Sequence, residues 1–119
     1  MEKILIVDDS RTSRRILNNL LTENGYEVVE AENGELGVQK YKEETPDLVT
    51  MDITMPVLDG LEALKGIKAY DSGAKVIMVT AAGQESKVME AVKHGAAEFI
   101  TKPFEKEKIL ETIRKVLQD

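Results

Sequence analysis

Three carboxylates, one hydroxyl and one ammonium group stand directly after apolar stretches of the chain, and they belong to Asp8, Asp9, Asp52, Thr80 and Lys102. A single aspartate in such a place is usually a helix cap or a loop residue, and either Asp9 or Ser10 is placed to cap a helix. Three carboxylates that a fold brings together repel one another and raise the pKa of at least one of them. Such a cost is explained by a bound cation or by a reaction, so we expect these residues to form a site.

The residue types predict which cation the site would hold. Carboxylates and water favour Mg²⁺, with Mn²⁺ as the alternative. The chain has no cysteine and a single histidine, His94, so it lacks the nitrogen and sulfur donors of an ordinary zinc site. We interpret His94 as a surface residue near the end of a helix.

Five short apolar runs supply the strands that would position these residues. Three of them are nearly continuous and rich in β-branched side chains, as strands buried on both faces of a parallel sheet are. The second and fifth runs are more polar, which is typical of edge strands. The runs cover residues 3–7, 27–31, 47–51, 75–79 and 97–100.

Helical patterns separate the runs. Gly25 is placed to end the first helix, Asn33 to cap the second, and Asp59 to cap the third, with Glu62 three residues later. The fourth helix is expected over about residues 84–93. The first, third and fifth helices carry apolar residues at helical spacing: Ile16, Leu17, Leu20 and Leu21; Leu61, Leu64 and Ile67; and Ile109, Leu110, Ile113, Val116 and Leu117.

Strict alternation of strands and helices predicts an α/β fold, a doubly wound (βα)₅ domain with a five-stranded parallel sheet, over residues 1–119. In such sheets ligands bind outside the carboxyl ends of the strands. The candidate residues all follow strands, so the fold would bring them to one rim.

The composition excludes several classes of protein. The net charge of −6 argues against non-specific binding to nucleic acid or to an anionic membrane surface. No apolar run is long enough to span a membrane and the N-terminus does not resemble a signal peptide, so we expect a cytoplasmic protein.

The ordered set Asp8-Asp9, Asp52, Thr80 and Lys102-Pro103 resembles the pattern of the response-regulator receiver domain of two-component signalling. Residues 51–56, with Asp59-Gly60 after them, are similar to the phosphoacceptor loop of that family. The resemblance covers the whole chain and implies the flavodoxin-like strand order 2-1-3-4-5. Within the family, the short chain and the stretch 80–84 are most similar to single-domain chemotaxis regulators.

The resemblance implies that Asp52 accepts a phosphoryl group, which is known chemistry for a carboxylate. Asp9 and Asp52 would bind Mg²⁺ directly, together with the backbone carbonyl of Thr54, and Asp8 would act mostly through coordinated water. The bound cation would offset the negative charge that develops during transfer.

The same resemblance implies roles for the remaining residues of the rim. Lys102 would pair with Asp52 before transfer and with a phosphoryl oxygen after it. The Thr80 hydroxyl would donate to another phosphoryl oxygen, and backbone N–H groups near Thr54 and Ala81 would complete the phosphate cradle.

A conformational switch is also implied. The ring of Phe99 would turn into space that Thr80 vacates, although an aromatic residue on a strand can equally be static core. The Lys102-Pro103 bond is expected to be cis, which would aim the lysine inwards. The switch would change the surface of the fourth helix, fifth strand and fifth helix, where the residues expected to be exposed are Lys87, Glu90, Lys93, Lys106 and Lys108.

The implied partners are a sensor histidine kinase or histidine phosphotransfer protein and an output protein, which would be a flagellar switch protein in chemotaxis. Arg11, Arg14 and Arg15 form either a solvated basic face or a docking surface for the phosphoryl donor. We expect a monomer that catalyses its own phosphotransfer and dephosphorylation and is not otherwise an enzyme. A stand-alone phosphorelay intermediate and a receiver from a longer regulator are the alternatives, since their sites would be identical.

Other phosphate-binding classes fit the sequence poorly. A flavodoxin-type protein would share the fold, but Asp8-Asp9 would repel phosphate where the flavin phosphate loop is needed. No nucleotide-binding G-x-x-x-x-G-K-[ST] or G-x-G-x-x-G pattern occurs. A phosphatase of the haloacid-dehalogenase type would require D-x-D-x-T after the first strand, and it is absent.

Overall fold

Five strands and five helices alternate along the chain in the computed structural model, which describes residues 1–119. The strands are β1 (Lys3–Val7), β2 (Glu27–Ala31), β3 (Leu48–Asp52), β4 (Val76–Thr80) and β5 (Glu98–Thr101). The helices are α1 (Arg11–Glu23), α2 (Gly34–Glu44), α3 (Gly60–Tyr70), α4 (Glu85–Lys93) and α5 (Lys106–Gln118). None of these helices has the length and apolar character needed to cross a membrane.

The strands form one parallel sheet in the order β2-β1-β3-β4-β5, so the predicted doubly wound α/β fold is confirmed. The last three strands lie one residue later than the sequence predicted. Asp52 still pairs with Val79, and Thr80 pairs with Thr101, because the ladder of backbone hydrogen bonds continues past the apolar runs. Asp52 and Thr80 are therefore the last residues of their strands and are held by the sheet itself.

Both faces of the sheet are buried, as the continuous apolar runs predicted. Alternate residues of β1 illustrate this, because Ile4 and Ile6 pack with α1 and α5 whereas Leu5 and Val7 belong to the core beneath α2, α3 and α4. All four side chains are at most 1% exposed. The helices on both faces fix the strand ends and thereby the rim of the sheet.

The helix caps decide an alternative that the sequence left open. The Ser10 hydroxyl accepts a hydrogen bond from the backbone N–H of Ser13 at 3.2 Å, so Ser10 and not Asp9 caps α1. Asn33 and Asp59 cap α2 and α3 as predicted, and Gly25 has a φ of +87° just past the end of α1. Asp9 is thus not needed as a cap.

The predicted apolar face of α1 is wrong at Ile16, which is 46% exposed. Leu17, Leu20 and Leu21 are buried at the spacing of one helix stripe. Ile16 lies about 100° around the helix from Leu17, at the margin of that stripe, and so it faces solvent.

Gly60 lets α3 approach the end of β3 closely. Its backbone N–H donates to the carbonyl of Ile53 at 2.7 Å. A Cβ atom at this position would lie 2.1 Å from the carbonyl oxygen of Asp52, which is backbone and cannot move aside. The glycine therefore supports the position of Asp52.

We expect Gly60→Ala to lower the free energy of unfolding by about 2–3 kcal/mol, because the new methyl group would overpack against the β3 backbone. Gly66→Ala in the same helix is the control, since its Cβ would meet only the two methyl groups of Val38, at 3.3 and 3.7 Å. Better helix propensity should make that variant equal to wild type or up to about 1 kcal/mol more stable. Urea unfolding measures both, and equal stability of the two variants would contradict the prediction.

Candidate functional site

The three predicted carboxylates meet at the carboxyl end of the sheet. Asp8 follows β1, Asp9 comes next, and Asp52 ends the neighbouring strand β3. One carboxylate oxygen from each of the three lies within 4.8 Å of those of the other two. Asp8 is 2% exposed whereas Asp9 is open to solvent, so the cluster is anchored on one side and accessible on the other.

Lys102 is the cation of this cluster. Its Nζ atom lies 3.2 Å from Oδ2 of Asp8 and 3.4 Å from Oδ2 of Asp52. The Lys102 backbone N–H donates to the carbonyl of Thr80 at 2.6 Å, and the Lys102-Pro103 peptide bond is cis. The lysine thus bridges two of the three carboxylates from the β5 side.

The pKa of Asp52 reflects both its burial and the charges around it. Burial raises that pKa to about 6; the ammonium group of Lys102 opposes the rise, and the charges of Asp8 and Asp9 add to it. Burial by itself would lower the pKa of Lys102, but the two carboxylates it contacts outweigh that effect and raise it. Three carboxylates facing one ammonium group fit a hard divalent cation.

Asp8 is held in place by its neighbours. Its Oδ1 atom accepts a hydrogen bond from the Ser10 backbone N–H at 2.8 Å, and its carbonyl accepts one from Nη1 of Arg14 at 2.7 Å. Arg14 also pairs with Glu30 at 3.0 Å and is only 14% exposed. Of the three arginines considered as a basic face or docking surface, only Arg11 and Arg15 are exposed, because Arg14 is committed to this structural role.

Thr80 and the residues that follow it make a second set of contacts. The Thr80 hydroxyl is buried and lies 3.0 Å from Oε1 of Gln84, which also accepts from the Ala81 backbone N–H at 2.7 Å. Nε2 of Gln84 donates to the Thr54 hydroxyl at 2.6 Å. Sequence reasoning missed Gln84. The available signal was a glutamine at a helix start, where serine, threonine, aspartate or asparagine is preferred.

Phe99 lies at the edge of the sheet with its side chain 45% exposed. It lines an apolar groove of about 570 Å³ between β5 and α4, together with Val88, Met89 and Val92. His94 is an exposed residue at the C-terminal end of α4, as interpreted from the sequence. All the charged residues expected on the α4, β5 and α5 surface are exposed, namely Lys87, Glu90, Lys93, Lys106 and Lys108.

Comparison with known proteins decides the family. Residues 4–114 match the response regulator receiver domain. The chain belongs to the response-regulator receiver family. Receiver domains are signalling proteins of two-component systems, and Mg²⁺ binding through acidic residues is typical of them.

Several similar proteins within the receiver family are chemotaxis proteins. The chain is 54% identical to the chemotaxis protein CheY of Bacillus subtilis, over 97% of both chains. The crystallised CheY4 of Vibrio cholerae superposes with a TM-score of 0.92 at 31% identity, over 98% of both chains. A CheY of Borrelia burgdorferi, solved in a complex with CheX, BeF₃ and Mg²⁺, has a TM-score of 0.91 at 39% identity, over 97% of this chain and 88% of that one. The chain is thus a CheY-like receiver domain.

The raised pKa of Asp52 predicts a pH-dependent stability in the absence of metal. The folded protein binds the proton of Asp52 more tightly than the unfolded chain, whose aspartate has an ordinary pKa of 3.8. The stabilising effect of the protonated group is therefore complete below pH 3.8 and is lost as the pH rises through about 6.

Asp52→Asn cannot ionise, so between pH 4 and pH 7 its free energy of unfolding should rise relative to wild type. We expect a relative gain of about 1–2 kcal/mol in EDTA, below the full linkage value because solvent reaches the rim. Urea unfolding at several pH values measures it. A constant difference between the two proteins over this range would contradict the prediction.

Proposed function

We propose that this receiver accepts a phosphoryl group on Asp52 from a phosphohistidine of a sensor histidine kinase or histidine phosphotransfer protein. The observation that carries the proposal is the position of Asp52. Asp52 ends a central strand, and one of its carboxylate oxygens lies within 4.8 Å of oxygens of Asp8 and Asp9. Its Oδ2 atom lies 3.4 Å from the ammonium group of Lys102, and the neighbouring strand β4 ends at Thr80, which carries a hydroxyl. That arrangement suits transfer of a phosphoryl group to a carboxylate oxygen more than a purely structural role.

In the proposed reaction a carboxylate oxygen of Asp52 forms a bond to phosphorus while the bond from phosphorus to the donor imidazole nitrogen breaks. The bonding electron pair stays on the imidazole. Lys102 then exchanges its contact with Asp52 for one with a phosphoryl oxygen, and Thr80 and the Ala81 N–H donate to the others. In dephosphorylation a water oxygen forms a bond to phosphorus while the bond from phosphorus to Asp52 breaks, which releases inorganic phosphate and restores the carboxylate.

The rim residues would also hold Mg²⁺. Asp9, Asp52 and the backbone carbonyl of Thr54 are the proposed direct ligands, and Asp8 would bind through water. When bound, the cation supplies positive charge that offsets the charge developing on the phosphoryl oxygens.

The proposed output surface is the groove beside Phe99 with the flanking faces of α4 and α5. Exposed apolar side chains favour a protein partner there, and Met89 and Val92 are 66% and 54% exposed. Similarity to CheY proteins supports a cytoplasmic chemotaxis role in which a flagellar switch protein is the partner. A phosphorelay intermediate, or a receiver within a longer regulator, would use the same rim.

Intact-mass measurement after incubation with acetyl phosphate tests the proposal. Wild type with Mg²⁺ should gain one phosphoryl group, and chelation should prevent it. Asp52→Asn should gain none, because an amide is not a nucleophilic carboxylate. Asp59→Asn is the matched control in the following loop and should be phosphorylated, whereas an Mg²⁺-dependent adduct on Asp52→Asn would overturn the proposal.

Metal binding is tested by thermal melts with EDTA and with excess Mg²⁺ at constant ionic strength. At tenfold over its Kd, Mg²⁺ should stabilise wild type by about 1.4 kcal/mol and raise Tm by about 4–6 °C. Asp9→Ala should erase most of that increment. It should also raise the metal-free Tm, since repulsion is relieved and Ser10 retains the cap of α1. An undiminished Mg²⁺ increment would place the cation elsewhere.

A further inference from the structure

One side chain joins the ends of β3 and β4. Oε1 of Gln84 accepts from the Ala81 backbone N–H at 2.7 Å and from the Thr80 hydroxyl at 3.0 Å, and Nε2 donates to the Thr54 hydroxyl at 2.6 Å. The Ala81 N–H fixes the orientation of the amide, because only an oxygen can accept from it. A single carboxamide thus holds three polar groups at the rim.

Two of these groups are the donors that phosphorylated Asp52 would need. Under the function proposed above, phosphoryl oxygens accept from the Thr80 hydroxyl and the Ala81 N–H. Each of these groups has one hydrogen to donate. In the unphosphorylated protein the Ala81 N–H donates to Oε1 of Gln84, and the Thr80 hydroxyl lies 3.0 Å from the same oxygen and 3.2 Å from the carbonyl oxygen of Ala81. The carboxamide oxygen and a phosphoryl group therefore compete for the same two donors.

We propose that Gln84 is an internal placeholder for the phosphoryl group. While Asp52 is unmodified, Oε1 of Gln84 accepts hydrogen bonds from the Thr80 hydroxyl and the Ala81 N–H. Phosphorylation of Asp52 displaces the Gln84 carboxamide from these donors. The identity of the competing group rests on the proposed function. The hydrogen bonds themselves belong to the unphosphorylated protein and can be tested without phosphorylation.

The placeholder connects the rim to the apolar groove. Gln84 is the N-cap residue of α4 but its side chain makes no cap hydrogen bond. Its backbone carbonyl accepts from the N–H groups of Lys87 and Val88, both at 3.0 Å. The carboxamide thus tethers the first turn of α4 to the rim, and Val88 and Met89 of that helix line the groove. Displacement of Gln84 releases the tether, so Gln84 acts as a positioning residue.

Titration with beryllium fluoride in Mg²⁺, followed by amide signals in ¹H–¹⁵N spectra, tests the competition. Gln84→Ala removes the competing oxygen without removing a helix cap, so it should bind this phosphoryl mimic about tenfold more tightly than wild type, equivalent to about 1.4 kcal/mol. Gln39→Ala is the matched control, because Gln39 is exposed on α2 and its amide contacts only Glu43 at 3.4 Å. It should bind as wild type does.

The outcomes separate this inference from the proposed function. The placeholder inference is overturned, and the proposed function stands, if wild type binds the mimic but the affinity of Gln84→Ala is weaker than that of wild type or within about twofold of it. If wild type does not respond to beryllium fluoride and Mg²⁺, the proposed function is overturned, and the placeholder with it.

Hydrogen exchange of the Ala81 amide gives a second readout in the metal-free protein. Gln84→Ala should accelerate that exchange by about tenfold or more, because the amide loses its acceptor. Gln39→Ala should leave it unchanged. An Ala81 amide that exchanges equally fast in wild type and Gln84→Ala would show that Gln84 does not hold it and would overturn the inference.

Discussion

Repulsion among Asp8, Asp9 and Asp52 at the end of a parallel sheet is the constraint on which the rest of this structure depends. The strands must place these carboxylates within 4.8 Å of one another, and the only ammonium group in contact is that of Lys102. Burial raises the pKa of Asp52, and the charges of Asp8 and Asp9 add to that rise while Lys102 opposes it. A site of this kind is poised to gain positive charge from a bound cation.

The fold tolerates the repulsion among these carboxylates because the strands that position them are central and fully packed. β1, β3 and β4 are covered on both faces, and their apolar side chains are almost completely buried. The core therefore supplies the stability that the rim removes, which is a common relation between a scaffold and a functional site. Close backbone approach at Gly60 and the buried carboxylate of Asp8 belong to the same rigid support.

The two sides of the rim differ in their contacts. On the β5 side Lys102 bridges two carboxylates through charge. On the β4 side Thr80 and Ala81 meet the neutral carboxamide of Gln84, which belongs to the start of α4. One side thus serves charge balance, whereas the other couples hydrogen bonding at the rim to a helix that lines an exposed groove. A chemical change at Asp52 would therefore affect both sets of contacts.

The order of the elements and the positions of the site residues follow from local patterns. Continuous apolar runs mark strands buried on two faces, helical spacing marks the segments between them, and residues after the runs must meet at one rim. The meeting of Asp8, Asp9, Asp52 and Lys102 at one rim could therefore be predicted from the sequence, because residue type and strand position are enough to indicate it.

Other features depend on distances between segments that no local pattern contains. That Ser10 caps α1 while Asp9 stays free, and that Arg14 binds the carbonyl of Asp8, depends on the angle at which α1 leaves the sheet. Gln84 gains its partners only because the β3–α3 and β4–α4 loops lie side by side. The pKa of Asp52 likewise results from burial and from charges brought together out of distant parts of the chain. Sequence determined which groups are present at the rim, and tertiary packing decided which of them are paired, because pairing depends on distances of a few ångströms between segments far apart in the chain.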